Sequence, residues 1–128
     1  MNYCKLYVHS DADEDVMDSI FDAGVDLFLT PYAIVGLIFR NESYIFDANP
    51  EADTYALDRS RYYAELGVDP DADVSEEKFK SCVSNLIVWL RARTECVIAS
   101  CEFEDYVIQT TGWNWTPEQP LPPPKSLQ

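Results

Sequence analysis

The sequence predicts an α+β domain in which two helices cover one face of an antiparallel sheet. Two amphipathic helical patterns interleave with short stretches whose apolar and polar residues alternate, as they do in half-buried strands. Hydrophobic residues make up 47% of the 128 residues, which is enough for a core and for one domain. The longest apolar run, residues 33–39, is far too short to span a bilayer.

The first strand and the first helix are predicted from the N-terminal residues. Residues 3–8 alternate in polarity, so their side chains are expected on opposite faces of a strand. Ser10 is the expected N-cap of the helix that follows, because Asp13 stands at the capping-box distance from it. Gly24 is the expected C-cap, since glycine commonly ends helices in a left-handed conformation.

An extended apolar stretch predicts the next strand. Pro31 lacks the backbone donor that a central strand needs, so this strand is placed at residues 32–40. A short polar turn is expected to lead into a second strand at residues 43–47, which gives a hairpin. Residues 49–61 are polar and acidic, and they are expected to form a loop.

The second half of the chain predicts two more strands and a helix. Residues 62–68 alternate in polarity and predict a strand. Ser75 is the expected N-cap of the second helix, because two glutamates follow it in the first turn. Residues 96–101 predict the last strand, and residues 106–109 are expected to extend it.

The element order is strand, helix, strand with hairpin, strand, helix, strand. This is the order of the split β-α-β, or ferredoxin-like, sandwich, so we expect two helices on one face and an extra hairpin. The predicted domain covers residues 1–115. Residues 116–128 hold five of the eight prolines and are expected to form a flexible tail. This fold hosts enzymes, RNA binders and inhibitors alike, so it does not define a function.

The net charge of −14, from 23 acidic and 9 basic residues, narrows the choice of partners. Nucleic acids and anionic membranes are not expected, because their binding needs an excess of lysine and arginine. A negative field of this size favours a basic protein partner. The N-terminal residues lack the features of a signal peptide, so the expected location is the cytoplasm, where cysteines are reduced.

No metal ion or cofactor is predicted. Cys4, His9, Cys96 and Cys101 are potential zinc ligands, but residues five apart on a strand lie on opposite faces, separated by about 17 Å. Zinc holds its ligands within about 2.3 Å. His9 is the only histidine, which excludes a multi-histidine site. A cysteine–histidine nucleophile pair stays open, with Cys101 or His9 as the reactive group of a small enzyme.

The sheet face away from the helices is the predicted contact surface, because an apolar and aromatic patch is either covered or used. Its expected side chains are Tyr3, Lys5, Tyr7, Ile34, Ile38, Tyr63 and Glu65. Nearby acidic side chains would steer a basic partner toward it; they are Glu42, Asp47, Glu51, Asp53 and Asp58. Trp113 and Trp115 either fold back over this face or contact the partner.

Three stretches carry a resemblance to a known class of proteins. They are residues 37–42 (LIFRNE), 62–70 (YYAELGVDP) and 101–105 (CEFED). In order and spacing they resemble the immunity proteins, small acidic bacterial proteins encoded beside secreted polymorphic toxins. The resemblance spans residues 3–106 and implies a cytoplasmic inhibitor that binds one cognate toxin domain, often a basic nuclease, and blocks its active site. It implies no catalytic residue, because these families share none.

The leading hypothesis is therefore a non-catalytic inhibitor of a cognate toxin domain. Its candidate contact residues are Glu42, Asp47, Glu51, Asp53, Asp58, Tyr63, Glu65, Trp113 and Trp115. One alternative is a phage-type acidic DNA mimic that inhibits a nucleic-acid-binding protein, and another is a small ferredoxin-like enzyme. The sequence leaves open whether an edge strand pairs two copies into a homodimer.

Overall fold

A computed structural model describes residues 2–42 and 60–124, which form a four-stranded antiparallel sheet and three helices. The elements are β1 Tyr3–His9, α1 Glu14–Phe28, β2 Ile34–Arg40, β3 Tyr62–Val68, α2 Glu76–Arg91, β4 Cys96–Ser100 and α3 Glu104–Thr111. The α+β class predicted from the sequence is thereby confirmed. The predicted hairpin strand at residues 43–47 lies outside the described residues, as does the predicted loop up to residue 59.

The sheet has the strand order β2-β3-β1-β4, and every neighbouring pair is antiparallel. Leu6 of β1 lies opposite Ala64 of β3 and Ala99 of β4, and all three side chains are buried. We call the face that carries them the inner face, because helices cover it. The opposite side of the sheet is the outer face.

The core lies between the inner face and the helices. α1 contributes Met17 and Phe21, and α2 contributes an apolar stripe that includes Phe79 and Leu86. Burial of each large apolar side chain stabilises the fold by about 1.5–3 kcal/mol. Among the described residues, no helix is both long enough and apolar enough to cross a membrane.

The boundaries of α1 differ from the prediction at both ends. Asp13, and not Ser10, is the N-cap, and its carboxylate accepts a hydrogen bond of 3.0 Å from the Val16 amide. Gly24 lies inside the helix, which continues to Phe28. A Cβ atom at Gly24 would lie 2.7 Å from a methyl carbon of Leu86, so this glycine allows α1 to approach α2 closely.

The strand predicted at residues 32–40 begins two residues later. Pro31 lies in a 3-10 turn at Thr30–Tyr32, and Ala33 ends this turn with a left-handed φ of 61°. The chain becomes extended only after this reversal, at Ile34. The proline therefore ends the connection from α1 and does not interrupt a strand.

The segment after β4 is a helix, so the predicted extension of the last strand over residues 106–109 was wrong. α3 begins after Phe103, whose ring makes an edge-to-face contact with Phe79 of α2 at a centroid distance of 6.0 Å. Val107 of α3 is also buried in the core. The spacing of the apolar residues in α3 fits both a strand and a short helix that packs on α2. The contacts with α2 stabilise the helix.

The segment after α3 crosses to the outer face and closes the free edge of β4. The side-chain amide of Asn114 accepts a hydrogen bond of 2.8 Å from the Ala99 amide and donates one of 3.0 Å to the Ala99 carbonyl. Both groups would otherwise be open to another strand, because β4 pairs with β1 on its other side. Asn114 thus takes the place of a neighbouring strand at this position.

Candidate functional site

The outer face of β2 carries different residues from those predicted. Ile34 and Ile38 were expected there, but both pack on the inner side against the core. Val35, Leu37 and Phe39 occupy the outer face, with exposed fractions of 56%, 64% and 39%. Almost every residue of β2 is apolar, so alternation gave no indication of which side is buried. The pairing with β3 decides it.

The register places the exposed residues of three strands in rows across the outer face. Leu37 lies opposite Glu65 of β3, which lies opposite Lys5 of β1. In the next row Phe39, Tyr63 and Tyr7 follow one another across the same strands. In the row on the other side of Leu37, Glu65 and Lys5, Gly67 lies between Val35 of β2 and Tyr3 of β1. We call this set of side chains the outer-face patch.

Ring contacts order the centre of the outer-face patch. Phe39 stacks on Tyr63 with a centroid distance of 5.2 Å. The Lys5 ammonium lies 4.6 Å from the centroid of Tyr63 and 4.9 Å from that of Tyr7. Its interaction with the Tyr7 hydroxyl raises the pKa of Lys5. The ammonium therefore stays charged at neutral pH and holds the two rings on either side of it.

Glu65 is held beside these rings by Tyr3, whose hydroxyl donates a hydrogen bond of 3.2 Å to the carboxylate. Partial burial, and next to it the charge of Glu65, raises the pKa of Tyr3. Lys5 is the cross-strand neighbour of Glu65, so one positive and one negative side chain lie together in the patch. The surroundings of this pair are aromatic and aliphatic, which resembles the composition of interface cores.

The two candidate tryptophans cover the part of the outer face that lies over β4. Trp113 is only 3% exposed and packs against Cys96 and Ile98, with Tyr7 and Trp115 beside it. Its indole N–H donates a hydrogen bond of 2.9 Å to the Gln119 carbonyl. Trp113 has therefore folded back and is not available to a partner. Trp115 is half-buried at the border of the outer-face patch.

The candidate acidic residues are only partly described. Glu42 is exposed just after β2, whereas Asp47, Glu51, Asp53 and Asp58 lie outside the described residues. Of the nine predicted contact residues, the structure brings Tyr63 and Glu65 together in one patch. Val35, Leu37 and Phe39 were not among the predicted contact residues, and no pattern within β2 itself distinguishes its two sides.

α1 carries an acidic feature that was not predicted as a candidate contact site. Asp15, Asp18, Asp22 and Asp26 are all exposed on α1. Their spacing of three or four residues places them along one side of the helix, over about 16 Å at a rise of 1.5 Å per residue. We call them the acidic stripe. Like charges at this spacing destabilise a helix slightly, so the stripe does not help the fold.

The four potential zinc ligands divide into two pairs. Cys4 and Cys101 lie on the inner side in the same core cluster, and the Cys4 thiol donates a hydrogen bond of 3.7 Å to the Lys5 carbonyl. His9 and Cys96 are cross-strand neighbours on the other side. The described residues contain no cluster of three metal-ligating side chains.

The pKa values of these groups do not indicate an activated nucleophile beside the histidine. Burial raises the pKa of the Cys96 thiol to about 12, so it remains protonated at neutral pH. Burial also lowers the pKa of His9. Cys101, whose pKa is lowered by the hydrogen bond from Cys4, lies on the face opposite His9. A Cys101–His9 pair is therefore not formed.

Comparison with known proteins finds no match: no family model fits the chain, and no curated protein or solved structure is significantly similar to it. Function must then be inferred from the side chains themselves. Within the described residues, the outer-face patch is the surface that combines exposed apolar area with ordered rings.

Proposed function

We propose that this protein is a non-catalytic inhibitor that binds a basic protein domain and covers its active site, as the immunity proteins of bacterial toxin systems do. The observation that supports it is the outer-face patch, where Val35, Leu37 and Phe39 are exposed beside stacked rings. Exposed apolar patches of this kind mark interaction sites. Aromatic residues surrounded by apolar ones are typical of the residues that dominate binding energy.

The charge distribution supports a basic partner. Six cationic side chains of the described residues lie over aromatic rings; they are Lys5, Arg61, Lys78, Lys80, Arg91 and Arg93. Between two described residues, one ion pair is present, from Lys80 to Glu76 at 3.8 Å. Most carboxylates are therefore not neutralised by a close cation. Their field would accelerate the approach of a positively charged domain.

We also infer that the fold is of the ferredoxin-like type and that the protein works in the cytoplasm. The strand order β2-β3-β1-β4 with antiparallel neighbours supports the first inference. Four free cysteines among the described residues support the second, because thiols persist in reducing compartments. A ferredoxin-like fold and a cytoplasmic location both fit an inhibitor that protects the cell in which its partner is made.

The experiment is rescue from toxicity. The protein encoded by the neighbouring gene is expressed from an inducible promoter, with this protein from a second plasmid, and colony counts are compared. The wild type should restore growth. L37D and F39D should not, because each places a charge within the apolar patch. V88D is the matched control, since Val88 is an exposed apolar residue on α2, away from the patch.

Three results would contradict the proposal. They are a neighbouring gene product that proves harmless, a wild type that fails to rescue growth, and equal rescue by all three variants. Sedimentation analysis distinguishes a different use of the patch. If the patch pairs two copies of this chain, the wild type sediments as a dimer and L37D as a monomer, with no effect of L37D on binding of the toxin domain.

A second candidate function is a DNA mimic that occupies the groove of a DNA-binding protein. The acidic stripe of α1 favours it, because regularly spaced carboxylates can take the place of backbone phosphates. Such a mimic would recognise several unrelated DNA-binding proteins, whereas an immunity protein recognises one.

Competition with DNA separates the two functions. A labelled generic duplex is bound to each of several unrelated DNA-binding proteins, and its displacement by this protein is measured. The mimic displaces DNA from several of them, and the double variant D18N/D22N loses this activity while L37D keeps it. Displacement from none of them excludes the mimic.

A further inference from the structure

A cavity of about 810 Å³ is lined by residues of α2, β4, α3 and the segment after α3, none of which belongs to the outer-face patch. Its walls include Val88 and Arg91 of α2, Thr111 of α3, Trp113 and Leu121. Its volume lies within the range of sites that hold small organic molecules, about 300–1,000 Å³. Most of these walls are apolar, and Arg91 contributes a full positive charge.

The hydrogen bonds of Arg91 fix its guanidinium but do not neutralise it. Nε and Nη2 donate to the Val97 carbonyl over 3.2 and 3.0 Å, and Nη1 donates to the Thr111 hydroxyl over 2.7 Å. Both acceptors are uncharged. A guanidinium carries five N–H groups, so one on each Nη remains for another acceptor. Two parallel donors of this kind match the two oxygens of a carboxylate.

The positive charge of Arg91 is partly buried and has no counter-ion within the described residues. Within the described residues no carboxylate forms an ion pair with it, although Glu95 also lines the cavity. Burial lowers the pKa of Arg91 to about 10, so the guanidinium is still protonated at neutral pH. The ring of Trp113 lies 5.2 Å from the guanidinium and compensates only part of the cost of burying the charge.

From this arrangement we propose that the cavity binds a small organic monocarboxylate, with its carboxylate on Arg91 and its apolar body between Trp113, Val88 and Leu121. An anion would supply the missing counter-charge, and the preformed donor pair would lower the entropic cost of binding. A single guanidinium in a largely apolar wall, whose one described carboxylate is that of the exposed Glu95, fits one negative charge better than the two charges of a phosphate. This site does not rest on the proposed function, because none of its wall residues belongs to the outer-face patch, although Trp113 adjoins Tyr7 of that patch.

The test measures binding of phenylacetate, 4-phenylbutyrate and octanoate to the full chain by calorimetry, with the neutral amide of each as its control. At least one acid should bind with Kd near or below about 1 mM and at least about tenfold more tightly than its amide. R91Q should remove this preference. R93Q is the matched control, because Arg93 is exposed at the same helix end and does not line the cavity.

A second variant keeps the test valid if R91Q does not fold. V88W fills the cavity from a half-exposed wall position and breaks no hydrogen bond of Arg91, so it should abolish binding while the thermal unfolding midpoint is kept. Affinity should stay constant from neutral pH to about pH 9 and fall as pH rises through the pKa of Arg91, about 10. Over this range Cys96, with a pKa of about 12, stays neutral.

Three results would overturn the proposal. Equal affinity for an acid and its amide would mean that Arg91 does not recognise the charge. Binding that survives V88W would place the acid elsewhere on the molecule. Absence of binding by all three acids at about 10 mM, far above the expected Kd, would mean that the cavity is not a carboxylate site.

Discussion

At the scale of single residues, two strand glycines differ in the space around them. A Cβ atom on Gly36 would lie 2.8 Å from Leu66 and 3.2 Å from Phe21, both in the core. On Gly67 the nearest atom would be 3.9 Å away. We therefore expect G36A to lower the free energy of unfolding by about 1–3 kcal/mol, because it overpacks the core. Urea titration followed by circular dichroism measures the change.

The matched variant is G67A, which adds the same methyl group on the opposite face of the sheet. It should leave stability unchanged or raise it slightly, since alanine restricts the unfolded chain more than glycine does. Equal destabilisation by both substitutions would contradict this explanation. It would show that replacing either strand glycine is unfavourable in itself, whether or not the added methyl group meets the core.

His9 should make stability depend on pH. Burial lowers its pKa in the folded state below the ordinary value of 6.5. The unfolded chain therefore takes up the proton first as pH falls, and stability is lost between pH 6.5 and the lower folded pKa. H9Q should show a smaller loss of stability over this interval than the wild type. Urea midpoints at several pH values measure both curves.

An independent measurement checks the cause of this effect. The chain has one histidine, so the imidazole C–H signals in the proton NMR spectrum report its titration without overlap from another histidine. A pKa at or above 6.5 in the folded protein would contradict the prediction, and the curves of H9Q and the wild type would then run parallel.

At the scale of elements, Asn114 connects the segment after α3 to β4. N114A removes both of its hydrogen bonds and leaves the amide and carbonyl of Ala99 buried without a partner. A buried polar group that loses its partner costs about 1–3 kcal/mol, so we expect a loss of that order in the free energy of unfolding. Thermal and urea unfolding measure it.

E118A serves as the control for N114A, because Glu118 is exposed in the same segment. It should unfold like the wild type. If N114A were also as stable as the wild type, water would have replaced the side-chain amide at Ala99, and the segment would contribute little to the fold.

The sequence predicts an element well where local chemistry and burial agree. Ser75 caps α2 as expected, and its hydroxyl accepts a hydrogen bond of 3.1 Å from the Lys78 amide. Ser10 and Asp13 can both act as caps, and sequence alone favoured the wrong one. Ser10 is buried and accepts from the Ala12 amide in the preceding turn, which leaves the cap to Asp13. Tertiary packing, which buries Ser10, therefore determines which of the two residues caps α1.

At the scale of the whole molecule, the excess of carboxylates should make stability depend on salt. Repulsion among like charges weakens the compact state, and salt screens it over a Debye length of about 10 Å at 0.1 M. We expect the free energy of unfolding, measured with urea, to rise as sodium chloride increases from low concentration to about 0.2 M. A flat or falling dependence would show that the charges of the native state are already balanced.

The candidate site was predicted only in part, for a reason that concerns the whole sheet. Tyr63 and Glu65 were placed on the outer face because the alternation of their strand is clear. Ile34 and Ile38 were placed on the wrong side, because β2 is apolar on both sides and only its register with β3 distinguishes the two sides. The Arg91 cavity combines α2, β4, α3 and the proline-rich segment, a proximity that no local pattern reveals.

The amide of Asn114 also limits how copies of this molecule can assemble. Fibres built by β-pairing need two available edges per subunit, so that each copy can join a neighbour on either side. At Ala99 one of those edges is occupied by the protein's own side chain. If the other edge pairs with a second copy, we therefore expect strand addition to stop at two subunits, so that misassembled molecules end as pairs rather than polymers.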